Sequence, residues 1–418
     1  MKKLVFLGLF TLMAGITYAG GYRTSLQGQR ALAMGHAGVA VVNSAELVFF
    51  NPAGLVYLED KLNVSVGAVG IISKGKYQNF TTNQESETTN DTSIVPSLYI
   101  SYALNEYFAL GLGVYAPYGS TISWEKDWIG SHLVNEISLS AIYINPTISI
   151  KLADVFSIGG GPLFAIGSVD FNRNLSRTLT DINGTRSNVT VEDSGISGVG
   201  YKAGFMFTPH KDFRVGMTYM SEIVLEVDSG DATFSNTPDI AGFPDSDKFS
   251  AELPAPAELV VGLAYQVTDK FLFAFDYNRT FWSAYKSLDI TFASITDPTR
   301  NPSVNPRNYK NSSVYRFGLQ YDATEKITLR AGYYHDETPV QLNYFSPETP
   351  RPDADGFTGG LTFNINEHFA IDASFLYLNF EETTASYEGY EENGVAAPFE
   401  GTYIANAFIP GIGITYKL

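Results

Sequence analysis

The sequence predicts an all-β fold: a fourteen-stranded antiparallel outer-membrane β-barrel with an N-terminal hatch, or plug, in the lumen. Three observations predict it. Apolar and polar residues alternate with a period of two over long stretches, so one face meets oil and the other something more polar. Six tight connections alternate with seven long polar ones, which joins fourteen strands and leaves both chain ends on the short-turn side. The N-terminus carries an export signal, and the chain beyond it has no apolar run of about 18 residues with which a helix could cross a membrane.

In order, Lys2 and Lys3 precede an apolar run from Leu4 to about Met13, and Thr17-Tyr18-Ala19 forms a small-residue cleavage site. Residues 1–19 therefore read as a secretory signal peptide, and the mature chain begins at Gly20. Residues 20–60 are rich in small side chains and read as short helices and turns, either a hatch folded into the lumen or a periplasmic appendage. Within them "VFFNPAGLVYL" places Asn51-Pro52-Ala53-Gly54 between two apolar runs. Asn51 is suited to cap a short helix whose first residue is Pro52.

Residues 61–418 form the barrel. The first strand is "LNVSVGAVGIIS" (62–73) and the third runs from about Tyr107 to Pro117. Gly111 and Gly113 lie inside the third strand and Pro117 ends its regular pairing, a composition that weakens a ladder and permits a kink, though glycines also serve simple bending. In residues 213–227, Phe213, Val215, Met217, Tyr219, Ile223, Leu225 and Val227 fall on one face. Residues 271–278, 369–377 and 408–418 alternate in the same way. The tight turns are "LNEYF" (104–108), "LADVF" (152–156), "TPHKDF" (208–213), "VTDKF" (267–271), "ATEKI" (323–327) and "NINEHF" (364–369). The long loops span about 74–92, 118–136, 172–197, 229–252, 292–310, 337–355 and 381–400. A soluble β-sandwich does not require long loops strictly on alternate connections.

Composition narrows the function. With 26 Tyr, 29 Phe and 38 Gly the chain suits strands and turns, and lipid accepts the aromatic faces. A net charge of -17 argues against nucleic acid as a partner. The absence of cysteine removes disulfides, thiolate nucleophiles and thiolate metal sites. The five histidines, His36, His132, His210, His335 and His368, form no metal-binding pair, and no local motif supports a Ser-His hydrolase. "GGGPLF" (159–164) opens no helix and is no phosphate loop. No enzyme activity, cofactor or metal is expected, and transport without a nucleotide motif runs downhill.

Four segments carry a family resemblance in order: "GQRALAMGHAGVAVVNSAELVFFNPAGL", "GVYAPYGSTISWEKDWIG", "AELPAPAELVVGLAYQVTDKFLFAFDYNRTFWSAYKSLDI" and "YRFGLQYDATEKITLRAGYYHDETPV". Together they resemble the FadL-type outer-membrane transporters of long-chain fatty acids and related hydrophobic compounds. The resemblance implies a passive channel. Cargo is captured at outer loops, passes through an apolar lumenal pocket, and leaves sideways through a kink in the third strand. It implies that Asn51, Pro52 and Ala53 are the hatch motif, lying near that kink, where Asn51 holds the hatch against the third strand. Gly111, Gly113 and Pro117 are then the kink residues. Lys310 in "YKNSSVYRF" best matches a head-group cation, Arg316 is second and Arg173 third. Each is equally suited to a salt bridge with a nearby carboxylate, and carriers of aromatic hydrocarbons need no such cation. Ile122, Trp124, Trp128, Ile129 and Leu133 give the loop 118–136 an apolar side, for capture of cargo or as an interfacial girdle. The expected partners are a long-chain fatty acid or another hydrophobic small molecule and outer-membrane lipid, with the protein a monomer; a structural or adhesive barrel is the alternative of a different class.

Overall fold

The computed structural model describes residues 21–239 and 242–418; the expected signal peptide and Gly20 lie outside the described residues. Fourteen strands close into one antiparallel barrel. They are β1 (Leu62–Asn79), β2 (Ser93–Ala103), β3 (Phe108–Ser123), β4 (Glu136–Ala153), β5 (Phe156–Asn174) and β6 (Asn188–His210). Next come β7 (Phe213–Met220 and Ile223–Ser235), β8 (Ser246–Ala255 and Glu258–Thr268), β9 (Phe271–Thr280 and Ser287–Phe292) and β10 (Ser303–Pro306 and Ser312–Asp322). The last are β11 (Ile327–Asp336), β12 (Ala354–Asn364), β13 (Phe369–Phe380 and Thr383–Tyr387) and β14 (Phe399–Lys417). β1 closes on β14 from Asn63↔Lys417 to Asn79↔Gly401. Pairing of the first strand with the last leaves neither as a free sheet edge, the condition for a sheet to cross a bilayer.

The short turns fall where the sequence places them. The strands run further outward than expected: β1 reaches Asn79, β3 reaches Ser123, and β6 begins at Asn188. Their outer halves are polar, and backbone pairing continues into them past the apolar band.

A second difference concerns which face is which. In the first segment of β7, Thr218 and Met220 are buried toward the lumen while Val215, Met217 and Tyr219 lie on the outer face. After the break at Ser221-Glu222 the buried residues are Ile223, Leu225 and Val227. The single face expected for residues 213–227 is therefore two faces, because the break shifts the alternation by one residue and that reverses every side chain beyond it. β8 slips in the same way at Pro256-Ala257, between buried Ala255 and buried Glu258. These slips bring apolar residues into the upper lumen.

Residues before β1 fill the lower lumen. They contain two short helices, α1 (Gln29–Leu32) and α2 (Leu47–Phe50), and a 3-10 helix at Pro52–Tyr57. The wall makes room for them with glycines: a Cβ on Gly111 would lie 2.4 Å from Thr147 Oγ1 and 2.7 Å from Val48 Cγ2. The hatch is also tied to the wall by charge. Arg30 Nε donates to Asp372 Oδ1 at 3.0 Å, and Asp372 also accepts from the hydroxyls of Thr362 and Thr415.

Candidate functional site: a lumenal pathway and a break in the wall

The β2–β3 ladder runs from Ala103↔Ala109 to Leu98↔Val114 and stops. Ser93, Ile94 and Val95 of β2 stay paired with β1, so β2 holds its course. β3 is the strand that departs. Its register with β4 shifts between Tyr115 and Tyr118, which sets Ala116 and Pro117 opposite the single residue Ile142. Proline offers no N–H to either neighbour and stabilises the bulge. The hatch takes up the released groups: Thr24 N–H donates to Pro117 O at 2.9 Å, Gln27 Nε2 to Ala116 O at 2.7 Å, and Gly119 N–H to Tyr22 O at 3.0 Å. Further out the gap ends, where Thr89 N–H donates to Ser123 O at 2.7 Å. The result is a framed window in the barrel wall.

The expected kink residues divide. Pro117 lies at the bulge, whereas Gly111 and Gly113 lie in the regular ladder, where they admit Val48 of the hatch. Their lack of a side chain is a packing requirement here, so a β-branched substitution would push the hatch rather than straighten the strand.

The hatch motif docks elsewhere than the resemblance implies. Asn51 accepts from Ala53 N–H at 3.2 Å and so caps the 3-10 helix that Pro52 begins. Its amide donates to Val39 O at 3.0 Å within the hatch and to Phe205 O of β6 at 2.9 Å. Ala53 O accepts from Ser149 of β4 at 3.1 Å and from Ser157 of β5. Asn51 thus holds the hatch to the sixth strand, not the third. The third strand is held instead by residues 22–27, for which the sequence offered only the unremarkable "YRTSLQ".

Three cavities follow the lumen. The largest, about 320 Å³, opens behind the window between Ile94, Tyr118 and Ile122. A second, of about 80 Å³, lies in the upper lumen between the apolar residues that the strand slips bring inward, among them Leu225, Phe249 and Leu253. Its only charged lining groups, Arg307 and Glu348, are bonded to each other, and Arg307 Nη1 also donates to Tyr387 OH at 3.0 Å. A third, of about 30 Å³, is lined by Arg23, Lys202, Arg316 and Glu258 beneath Pro117. There Arg23 pairs with Asp336 at 3.2 Å, Arg316 Nη2 donates to Ser25 Oγ at 3.2 Å, and Lys202 donates to Phe49 O. Arg316 Nε makes no hydrogen bond, and Arg23 Nε faces Glu258 Oε1 as an ion pair at 3.8 Å.

Of the expected cations, Arg316 therefore reaches a cavity. Lys310 lines none of the three, and Arg173 is turned to Ser303 Oγ at 3.0 Å. Sequence reading missed Arg23 and Lys202, which carry no local motif.

The expected capture loop is packed inward. Ile122, Trp124, Trp128 and Leu133 are buried and Ile129 is partly so. Trp124 and Trp128 stack at 4.2 Å, with Tyr77 and Phe399 against Trp128. Each indole N–H finds a carbonyl, Pro347 O and Val134 O. They form the core of a closed lid over the lumen, not an exposed patch. Arg177 ties that lid together: it donates to His132 Nε2 at 3.2 Å and to Ala397 O at 2.8 Å, and covers the Tyr390 ring. Its bond to Nε2 requires a neutral His132. Burial first, and then Arg177, lowers the His132 pKa to about 3.

An opened lid restores the ordinary value of about 6.5. The open form then binds more protons than the closed form between about pH 6.5 and 3, so acid in that window favours opening by up to about tenfold per unit. Protease nicking of loop 175–187 should rise as the pH falls from 6.5 to 4, and His132→Gln should flatten the rise. An equal rise in both proteins would remove His132 from the lid's acid response.

Residues 10–418 match the family model described as outer membrane protein transport protein (OMPP1/FadL/TodX). The chain belongs to this family. It is a FadL-type channel of the Gram-negative outer membrane for hydrophobic small molecules, a passive transporter and not an enzyme. It is 26% identical to the putative outer membrane protein NMB0088 of Neisseria meningitidis serogroup B, over 100% of this chain and 98% of that one. Its fold matches a Pseudomonas aeruginosa FadL homologue with a TM-score of 0.81 at 17% identity, covering 95% of this chain and 100% of that one. It matches the Ralstonia pickettii toluene transporter TbuX with a TM-score of 0.69 at 18% identity, covering 94% and 98%. This FadL-type chain shares with those structures the closed barrel and the N-terminal hatch.

Proposed function

We propose that this FadL-type channel carries small uncharged aromatic hydrocarbons, captured beneath the outer lid, passed through the upper lumenal cavity and released sideways through the β2–β3 window into the outer membrane. The upper cavity carries the reading. Its 80 Å³ is too small for an extended acyl chain and nearer the scale of a single ring. Its one cation is already neutralised by Glu348. A carboxylate there would lose hydration worth several kcal/mol without a partner. A methylbenzene loses nothing comparable and brings roughly 4–5 kcal/mol of gross apolar burial. The likeness to a toluene transporter agrees with this cargo.

Long-chain fatty acids are the second reading, and the basic cavity favours it. Arg316 stands there with an Nε that makes no hydrogen bond, beside Arg23, which is already paired with Asp336 and Glu258, and a charge-assisted bond to a carboxylate is worth about 1.5–3 kcal/mol. Uptake of labelled toluene and labelled palmitate by cells that lack their own transporter separates the two. The expected result is saturable toluene entry that depends on this protein, with palmitate entry unchanged. Palmitate entry alone would reverse the assignment, and entry of neither would sink the transport of both classes.

A further inference from the structure

The upper cavity and the window cavity adjoin in the lumen. The two cavities share three lining residues, Ser120, Leu139 and Thr349. Ser120 and Leu139 are direct cross-strand partners on β3 and β4, two pairs outward from Tyr118↔Ala141 and two pairs inward from Ile122↔Ile137. The latter pair is split between the two cavities, with Ile122 in the window cavity and Ile137 in the upper cavity.

The third shared residue is Thr349, on the loop between β11 and β12. This loop turns into the lumen and is anchored there. Tyr309 OH and Thr349 Oγ1 lie 2.8 Å apart, and the preceding Glu348 is bonded to buried Arg307. Arg307 is itself held by Tyr387 OH at 3.0 Å from β13. Arg351 N–H donates to Thr349 O at 2.8 Å and tightens the turn. Thr349 is thus fixed through two other parts of the barrel, the β10 segment that carries Arg307 and Tyr309 and, through Arg307, β13, while Leu139 projects from a continuous strand.

We infer that Leu139 and Thr349 are the size-selecting residues of this channel, setting the largest cargo that passes from the upper cavity to the window. Arg307 and Glu348 act as positioning residues that hold the Thr349 jaw. This rests on the proposal that the cargo is an aromatic hydrocarbon. A flat single ring clears a gap between a leucine and a threonine side chain more readily than a fused pair of rings. Shortening Leu139 removes three carbons from one jaw and widens the gap; lengthening it narrows the gap.

The test is the ratio of naphthalene to toluene uptake in cells expressing the full chain, with the folded barrel verified by its heat-dependent gel mobility. Leu139→Ala should raise the ratio at least fivefold and Leu139→Phe should lower it at least threefold. Glu348→Gln, which leaves Leu139 intact, should raise the ratio at least twofold by loosening the opposite jaw. Ratios within twofold of wild type in both folded Leu139 variants would overturn the inference while leaving toluene transport standing. If the wild-type chain takes up neither compound, the aromatic cargo falls, and this inference with it.

Discussion

Deleting Pro117 should close the window and reduce uptake at least tenfold while the barrel still folds. The bulge exists because two residues, Ala116 and Pro117, oppose Ile142 alone between the pairs Tyr115↔Tyr143 and Tyr118↔Ala141. Removing one restores a one-to-one register. β3 then regains the free backbone groups with which it can continue alongside β2 past Leu98↔Val114. The side chains of Tyr118, Ser120 and Ile122 keep their partners on β4, so the lumenal face is not reversed. Uptake of the cargo by cells, beside a gel assay for the folded barrel, reads the outcome. A folded deletion variant with wild-type uptake would show that cargo does not leave between β2 and β3.

Asp372→Ala should free the hatch. Arg30 and Asp372 are both buried, and removal of the carboxylate leaves a guanidinium without its charge partner and two hydroxyls without their acceptor. Breaking such a pair costs about 3–5 kcal/mol, more than replacing both members by apolar residues of similar size. The single variant should therefore leak, with frequent conductance steps in planar bilayers and vancomycin sensitivity in cells. Arg30→Met combined with Asp372→Leu should leak less than Asp372→Ala alone. A single variant as tight as wild type would mean that the glycine-lined packing holds the hatch unaided.

Much of the barrel is readable in the chain because lipid enforces a strict alternation and closure enforces alternating connections. Strands such as 271–278 and the six short turns stand where those two rules put them. What stays hidden are departures of a single residue. The slips at Ser221-Glu222 and Pro256-Ala257 look like continuous apolar alternation, yet they decide that Leu225 and Leu253 face the upper lumenal cavity instead of lipid. The site is less legible than the fold for a second reason. Cations such as Arg23 and Lys202 come together only through closure of the barrel around the hatch, with no spacing in the sequence to mark them. Trp124 and Trp128 were visible as apolar residues in a polar loop, but their indole partners, Pro347 and Val134, fix them as lid core and are evident only in three dimensions.

The hydrogen bonds between residues 22–27 and β3 also constrain the order of assembly. Ala116 O, Pro117 O and the N–H of Gly119 have their partners in the hatch. Within a bilayer each polar backbone group left bare costs several kcal/mol. The bulged part of the third strand therefore reaches its final hydrogen-bonded form only with residues 22–27 in place. The part of the protein that fills the lower lumen is also the template on which the gap in its wall is shaped, and a barrel inserted without it would have to mend that wall.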